Sequence, residues 1–117
     1  MSRSVLLLAL ALLALSPASA SAHSLLLAST PPADGRVSEP SAVTLRFNNR
    51  IEKKLCEIRL VSAHGETRVL ALRDVGAVDT LEAPLPKLAA GRYRIEWRVL
   101  STDGHVVSGG FAFNVSQ

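Results

Sequence analysis

From Arg92 to Leu100 the chain alternates without a break: Tyr93, Ile95, Trp97 and Val99 take one parity, and Arg94, Glu96 and Arg98 the other. A period of two is what an extended strand produces, because successive side chains point to opposite faces, and it does not line one side of a helix. Val43, Leu45 and Phe47 repeat the pattern against Thr44, Arg46 and Asn48, and Phe111, Phe113 and Val115 give a third set. Nothing comparable supports a long amphipathic helix. Turn-forming residues cut the chain between these runs at Pro31 to Gly35, Asn48-Asn49, His64-Gly65, Asp74 to Gly76, Pro84 to Gly91 and Asp103-Gly104. Strands are therefore expected near 24–29, 42–48, 55–61, 67–72, 78–83, 92–100 and 106–115. That pattern predicts an all-β fold, an immunoglobulin-like Greek-key β-sandwich or barrel of about seven antiparallel strands. Leu88 to Tyr93 reads as a tyrosine corner, with Tyr93 closing the turn into the sixth strand and Trp97 in the core between the sheets.

Residues 1–22 are set apart from this fold because they carry the pattern of a secretory signal peptide. Arg3 supplies the positive start, Val5 to Leu15 is an unbroken apolar run, and small-residue cleavage options follow at Ala18-Ser-Ala20 and Ala20-Ser-Ala22. The run is shorter than the roughly 20 residues that a bilayer span takes, which disfavours an uncleaved anchor. A cut after Ala22 leaves residues 23–117 as one small domain, starts the mature chain at His23 and implies export, with a Gram-negative periplasm the expected compartment.

Removing Arg3 lowers the net charge from +3 to about +2 with histidines neutral, too little for a nucleic-acid or membrane-surface argument from charge alone. The single cysteine, Cys56, shares its parity with Ile58 and Leu60, so it reads as core, and the domain has no internal disulfide.

Strand parity yields a functional expectation. If seven strands reverse direction at every turn, the start of the first strand and the sixth turn, Ser101 to His105, lie at one end. His23 would then emerge near Asp103 and His105. An N-terminal histidine can grip a metal with both its α-amine and its ring Nδ1, a second imidazole comes from His105, and Asp103, two residues earlier, falls on the same side if the chain is extended there. Nitrogen and oxygen donors without sulfur suit one Cu(II) ion per chain, with zinc the competitor; the only methionine, Met1, falls in the leader.

The alanine-histidine start, Thr30-Pro-Pro-Ala-Asp-Gly35, Val43-Thr-Leu-Arg-Phe47, Gly91-Arg-Tyr-Arg-Ile-Glu-Trp-Arg-Val-Leu-Ser-Thr-Asp-Gly-His105 and Gly110-Phe-Ala-Phe-Asn-Val115 resemble the CopC family of periplasmic copper-binding proteins. The resemblance covers essentially all of residues 23–117. It implies a Greek-key barrel or sandwich, a Cu(II) site formed by a histidine brace at His23 with Asp103 and His105, and a role in copper homeostasis or resistance. It also implies a CopD-type inner-membrane partner. Family members with a methionine-rich Cu(I) site differ from this chain, which lacks those methionines.

Competing readings are simpler. Asp103-Gly104 alone is a common hairpin turn, and His64, between two strands, reads as a solvated turn residue. At the level of function, the first expectation is a monomeric, non-enzymatic carrier or buffer of Cu(II). The others are a histidine-brace copper oxidoreductase and a metal-free β-sandwich interaction module.

Overall fold

The computed structural model describes residues 25–117; the expected leader at 1–22, and His23, lie outside the described residues. The alternating runs become strands that bury one parity and expose the other. In chain order these are β1 Leu26–Thr30, β2 Arg36–Ser38, β3 Ala42–Phe47, β4 Glu57–Ser62, β5 Thr67–Val69, β6 Thr80–Pro84, β7 Gly91–Leu100 and β8 Val106–Ser116. A short 3-10 turn, Lys53–Leu55, is the one helical element among the described residues, none of which forms a helix long and apolar enough to cross a membrane.

Two sheets face each other. One has the order β1-β3-β6 and the other β2-β8-β7-β4-β5. Val43, Leu45, Phe47, Leu81 and Ala83 from the first sheet meet Ile58, Leu60, Ile95, Val99, Phe111, Phe113 and Val115 from the second in one buried cluster. Each large aliphatic or aromatic side chain removed from water there contributes roughly 1.5–3 kcal/mol before the entropy of ordering it is counted. Trp97 reaches across the sandwich as expected, edge-on to Phe47 at 6.2 Å between ring centroids. It lies opposite Gly109, where any Cβ would come within 2.3 Å of its ring, so the indole position requires that glycine. Cys56 is partly buried against the core.

The tyrosine corner forms: the Tyr93 hydroxyl donates to the Ala89 carbonyl at 2.8 Å. The strand count differs from expectation. There are eight strands, and the additional one, β2, pairs in parallel with the end of β8, so the sandwich is not wholly antiparallel. A three-residue strand cannot display a period of two, and its pairing is supplied by β8 and by a backbone bond from Asp34 to Ala112, contacts distant in sequence. The expected fourth strand, 67–72, shortens to β5 because only Arg59, Leu60 and Val61 offer it partners.

Candidate metal centre

β1 runs away from the end of the sandwich at which β7 stops and β8 starts. β2 runs parallel to β8 and therefore also away from that end, after a crossing between sheets rather than a hairpin. The extra strand thus breaks the premise of reversal at every turn yet leaves the relation between the start of β1 and the β7–β8 turn intact. Residue pairings confirm it. Leu25 and Asn48 exchange two hydrogen bonds, the Leu25 N–H to Asn48 Oδ1 at 2.7 Å and the Asn48 N–H to the Leu25 carbonyl at 3.0 Å. Three residues on, Ile51 bridges Ser101, and the Thr102 N–H donates to the Arg50 carbonyl at 3.2 Å. One short segment, 48–51, therefore ties the start of β1 to the turn bearing Asp103 and His105.

Within that turn the Gly104 N–H donates to the Ser101 carbonyl and the Ser101 N–H to the His105 carbonyl, both at 2.9 Å. Gly104 takes φ of 90°, a left-handed conformation that a residue with a Cβ adopts only with strain. Asp103 and His105 come together as expected, but through this tight reversal and not along an extended segment. His105 Nδ1 lies 3.2 Å from Asp103 Oδ2, and both side chains remain about half exposed. The other carboxylate oxygen accepts the Ser101 hydroxyl and, at 3.3 Å, the His105 N–H. Ser101 itself is buried, at 2% exposure, so its hydroxyl is a fixed donor. That bond first, and the His105 ring second, favour the charged form and hold the Asp103 carboxyl down to about 2.

The product is an ionised oxygen donor beside an imidazole, oriented by a serine beneath. Among the described residues no group of three histidine, cysteine or acidic side chains gathers to hold a metal ion, so Asp103 and His105 form a two-donor pair that needs further ligands from elsewhere. The Cys56 thiol lies near this end but donates to the Glu52 carbonyl at 3.2 Å, and burial pushes its pKa up, so it stays a thiol and offers no soft anionic sulfur. His64 lies in the β4–β5 turn at the opposite end. Two contributors were not legible beforehand: Ser101 as the carboxylate's donor, and Asn48 as the clamp on the start of β1. A hydroxyl two residues before a carboxylate was the available signal for the first; Asn48 read only as part of a turn.

Comparison with known proteins supplies the lineage. A family model described as the CopC domain matches residues 26–116. The chain is 33% identical over 106 residues to copper resistance protein C of Escherichia coli, covering 83% of this chain and 84% of that one. Among solved structures it is similar to CopC from Methylosinus trichosporium OB3b, with a TM-score of 0.76 and 32% identity over 80% of this chain and 94% of that chain. It is also similar to PcoC, a methionine-rich copper resistance protein from Escherichia coli, with a TM-score of 0.70 and 28% identity over 81% of this chain and the whole of that one. With a family model spanning nearly every described residue and a relative matched over most of both lengths, the chain belongs to the CopC family.

Proposed function

We propose that the protein is an exported Cu(II) carrier or buffer in copper homeostasis, which binds one ion through His23, Asp103 and His105. Copper is its cargo and not a catalytic cofactor. The observation that carries this reading is the Asp103–His105 pair, ionised and oriented by Ser101 at the end of the sandwich where β1 begins. His23 precedes the clamped Leu25 by two residues, a reach of about 7 Å of extended chain. An N-terminal histidine would add an amine and an imidazole nitrogen, completing three nitrogens and one carboxylate, a set suited to tetragonal Cu(II). The protonated Cys56 and the absence of methionine from residues 23–117 supply no soft donors for Cu(I).

Residues 1–22 act as a cleaved signal, the chain from His23 works in the periplasm as a monomer, and a CopD-type membrane protein exchanges copper with it. Asp103 argues against an oxygen-activating enzyme, because an anionic ligand favours the oxidised ion and fills a position that an oxygen species needs. The chain from His23, given one equivalent of Cu(II), is expected to show a tetragonal electron paramagnetic resonance signal with nitrogen hyperfine structure. One extra residue before His23 separates amine from ring and should greatly weaken binding; unchanged affinity overturns the brace. Peroxide formation under reductant would instead favour the oxidoreductase.

A further inference from the structure

Seven large apolar side chains are exposed among the described residues, and six of them, Leu25, Leu27, Leu55, Val75, Val78 and Val106, lie at or near the end that carries Asp103 and His105. Each is placed there by a backbone contact. Leu25 binds Asn48, and Leu27 lies between the residues of β1 that pair Phe47 and Arg46. Leu55 closes the 3-10 turn whose Glu52 N–H donates to the Leu100 carbonyl. The Val78 carbonyl accepts from Ile51, Val75 follows the Asp74 that pairs with Lys53 at 3.8 Å, and Val106 pairs with Leu100. The seventh, Val69, sits midway along the sandwich opposite Arg59. Leu55 and Val106 are about as exposed as a folded chain allows for such residues, at 60% and 59%. Solvated aliphatic side chains gathered at one end mark a surface that something apolar covers.

We propose that this end docks on an anionic phospholipid surface, with Leu55 at the tip, so that the metal-ligand end faces the membrane. Charge favours that occupant: from Arg50 to Leu55 three cations, Arg50, Lys53 and Lys54, stand against the single Glu52, and lysines beside an apolar tip suit a boundary between anionic head groups and hydrocarbon. The six residues are all aliphatic, come from separate loops and strand ends, and include no aromatic ring of the kind that anchors protein interfaces. The total charge gave no hint of this because the remaining charges are spread over other faces. Docking stands on apolar residues and lysines independently of copper. A second element rests on the proposed function: bound Cu(II) adds positive charge at this end and tightens the docking.

The test is co-sedimentation of the chain from His23 with vesicles of phosphatidylglycerol and phosphatidylethanolamine, against vesicles of phosphatidylcholine alone. Metal-free protein should bind the anionic vesicles, more weakly at high salt. Leu55→Ser with Val78→Ser should weaken binding about tenfold by removing inserted methylenes. Lys53→Ala with Lys54→Ala should weaken it and flatten its salt dependence, and this pair decides the matter if the apolar variant fails to fold by circular dichroism. No binding by the parent, or equal binding by the variants, overturns the docking. So does a dimer in sedimentation velocity that the serine variants disperse while vesicles remain unbound, which assigns the patch to a second copy. Copper binding without vesicle binding leaves the carrier standing and removes the docking. Vesicle binding without any copper signal does the reverse, and copper binding that leaves vesicle affinity unchanged removes the charge coupling alone.

Discussion

The two ends of the sandwich are built with the same device and put it to different uses. At one end the Tyr93 hydroxyl, just inside β7, donates to the Ala89 carbonyl at 2.8 Å while its ring stacks on Phe113 at 5.8 Å. At the other the Ser101 hydroxyl, just past β7, donates to the Asp103 carboxylate, which in turn holds the His105 ring. A hydroxyl that closes on a backbone carbonyl restricts the chain and strengthens the fold. A hydroxyl that closes on a carboxylate selects a charge state and a side-chain orientation. The acceptor, more than the donor or the turn, separates a structural end from a chemical one, and the apolar side chains left in water gather at the chemical end.

If that division is real, substitutions at the two ends should move different observables. The largest effect is expected in the core beneath the tyrosine corner. Phe113 is fully buried and stacked on Tyr93, so Phe113→Ala should cost about 3–5 kcal/mol of unfolding free energy by denaturant titration. Cu(II) affinity of the molecules that remain folded should stay as it was. At the other end His105→Ala should do the converse. It deletes an exposed ligand, so copper affinity should fall by at least about 100-fold, more than the loss of an outer partner normally causes. Stability of the metal-free protein should change by no more than about 0.5 kcal/mol. A large loss of metal-free stability in His105→Ala would show that the turn carries structural load as well and would dissolve the contrast.

How much of this was legible beforehand follows the range of the interactions. Alternation along Arg92–Leu100 and Val43–Phe47 is local and burial enforces it, so β3, β7 and the two-sheet architecture could be read directly. The tyrosine corner was readable because its donor and acceptor are four residues apart. β2 was not, because its partner lies almost eighty residues away in β8 and its own three residues carry no period. The Asp103–His105 pair was expected at the correct place for an incomplete reason, since an extra strand that does not reverse direction leaves the parity unchanged. Asn48 and Ser101 escaped notice because polar side chains in turns usually face water, and only the folded chain shows which oxygen each one meets.

Ser101→Ala sharpens the comparison at intermediate magnitude. Without the hydroxyl the carboxylate loses its strongest partner, so the Asp103 pKa should rise from about 2 toward the ordinary 3.8. Copper affinity at neutral pH should fall by about tenfold, the lower end of what loss of an orienting partner costs. The pH dependence has a definite sign. A carboxylate whose folded value lies below its unfolded value stabilises the fold above about pH 4 and loses that contribution as pH falls toward 2. Thermal melts of metal-free protein should therefore decline across that window, and the decline should be shallower in Ser101→Ala. Identical acid profiles would mean that the serine positions the carboxylate without favouring its charge.

The smallest effect is expected from Tyr93→Phe, and it is the cleanest test of separation. The ring and its stacking on Phe113 remain, and only the bond to the Ala89 carbonyl is lost. A single hydrogen bond of this kind contributes about 0.5–1.5 kcal/mol, and water can reach the freed carbonyl at this exposed turn, so the low end of that range is expected. Ten residues of β7 stand between the two hydroxyls, a span of about 30 Å. Across that distance Tyr93→Phe and Ser101→Ala should be additive within about 0.5 kcal/mol in stability, and the tyrosine change should leave copper affinity untouched alone or in combination. A coupling above that margin would mean that β7 transmits strain from one end to the other, so that the tyrosine corner sets the geometry of the Asp103 turn and the two ends form one functional unit.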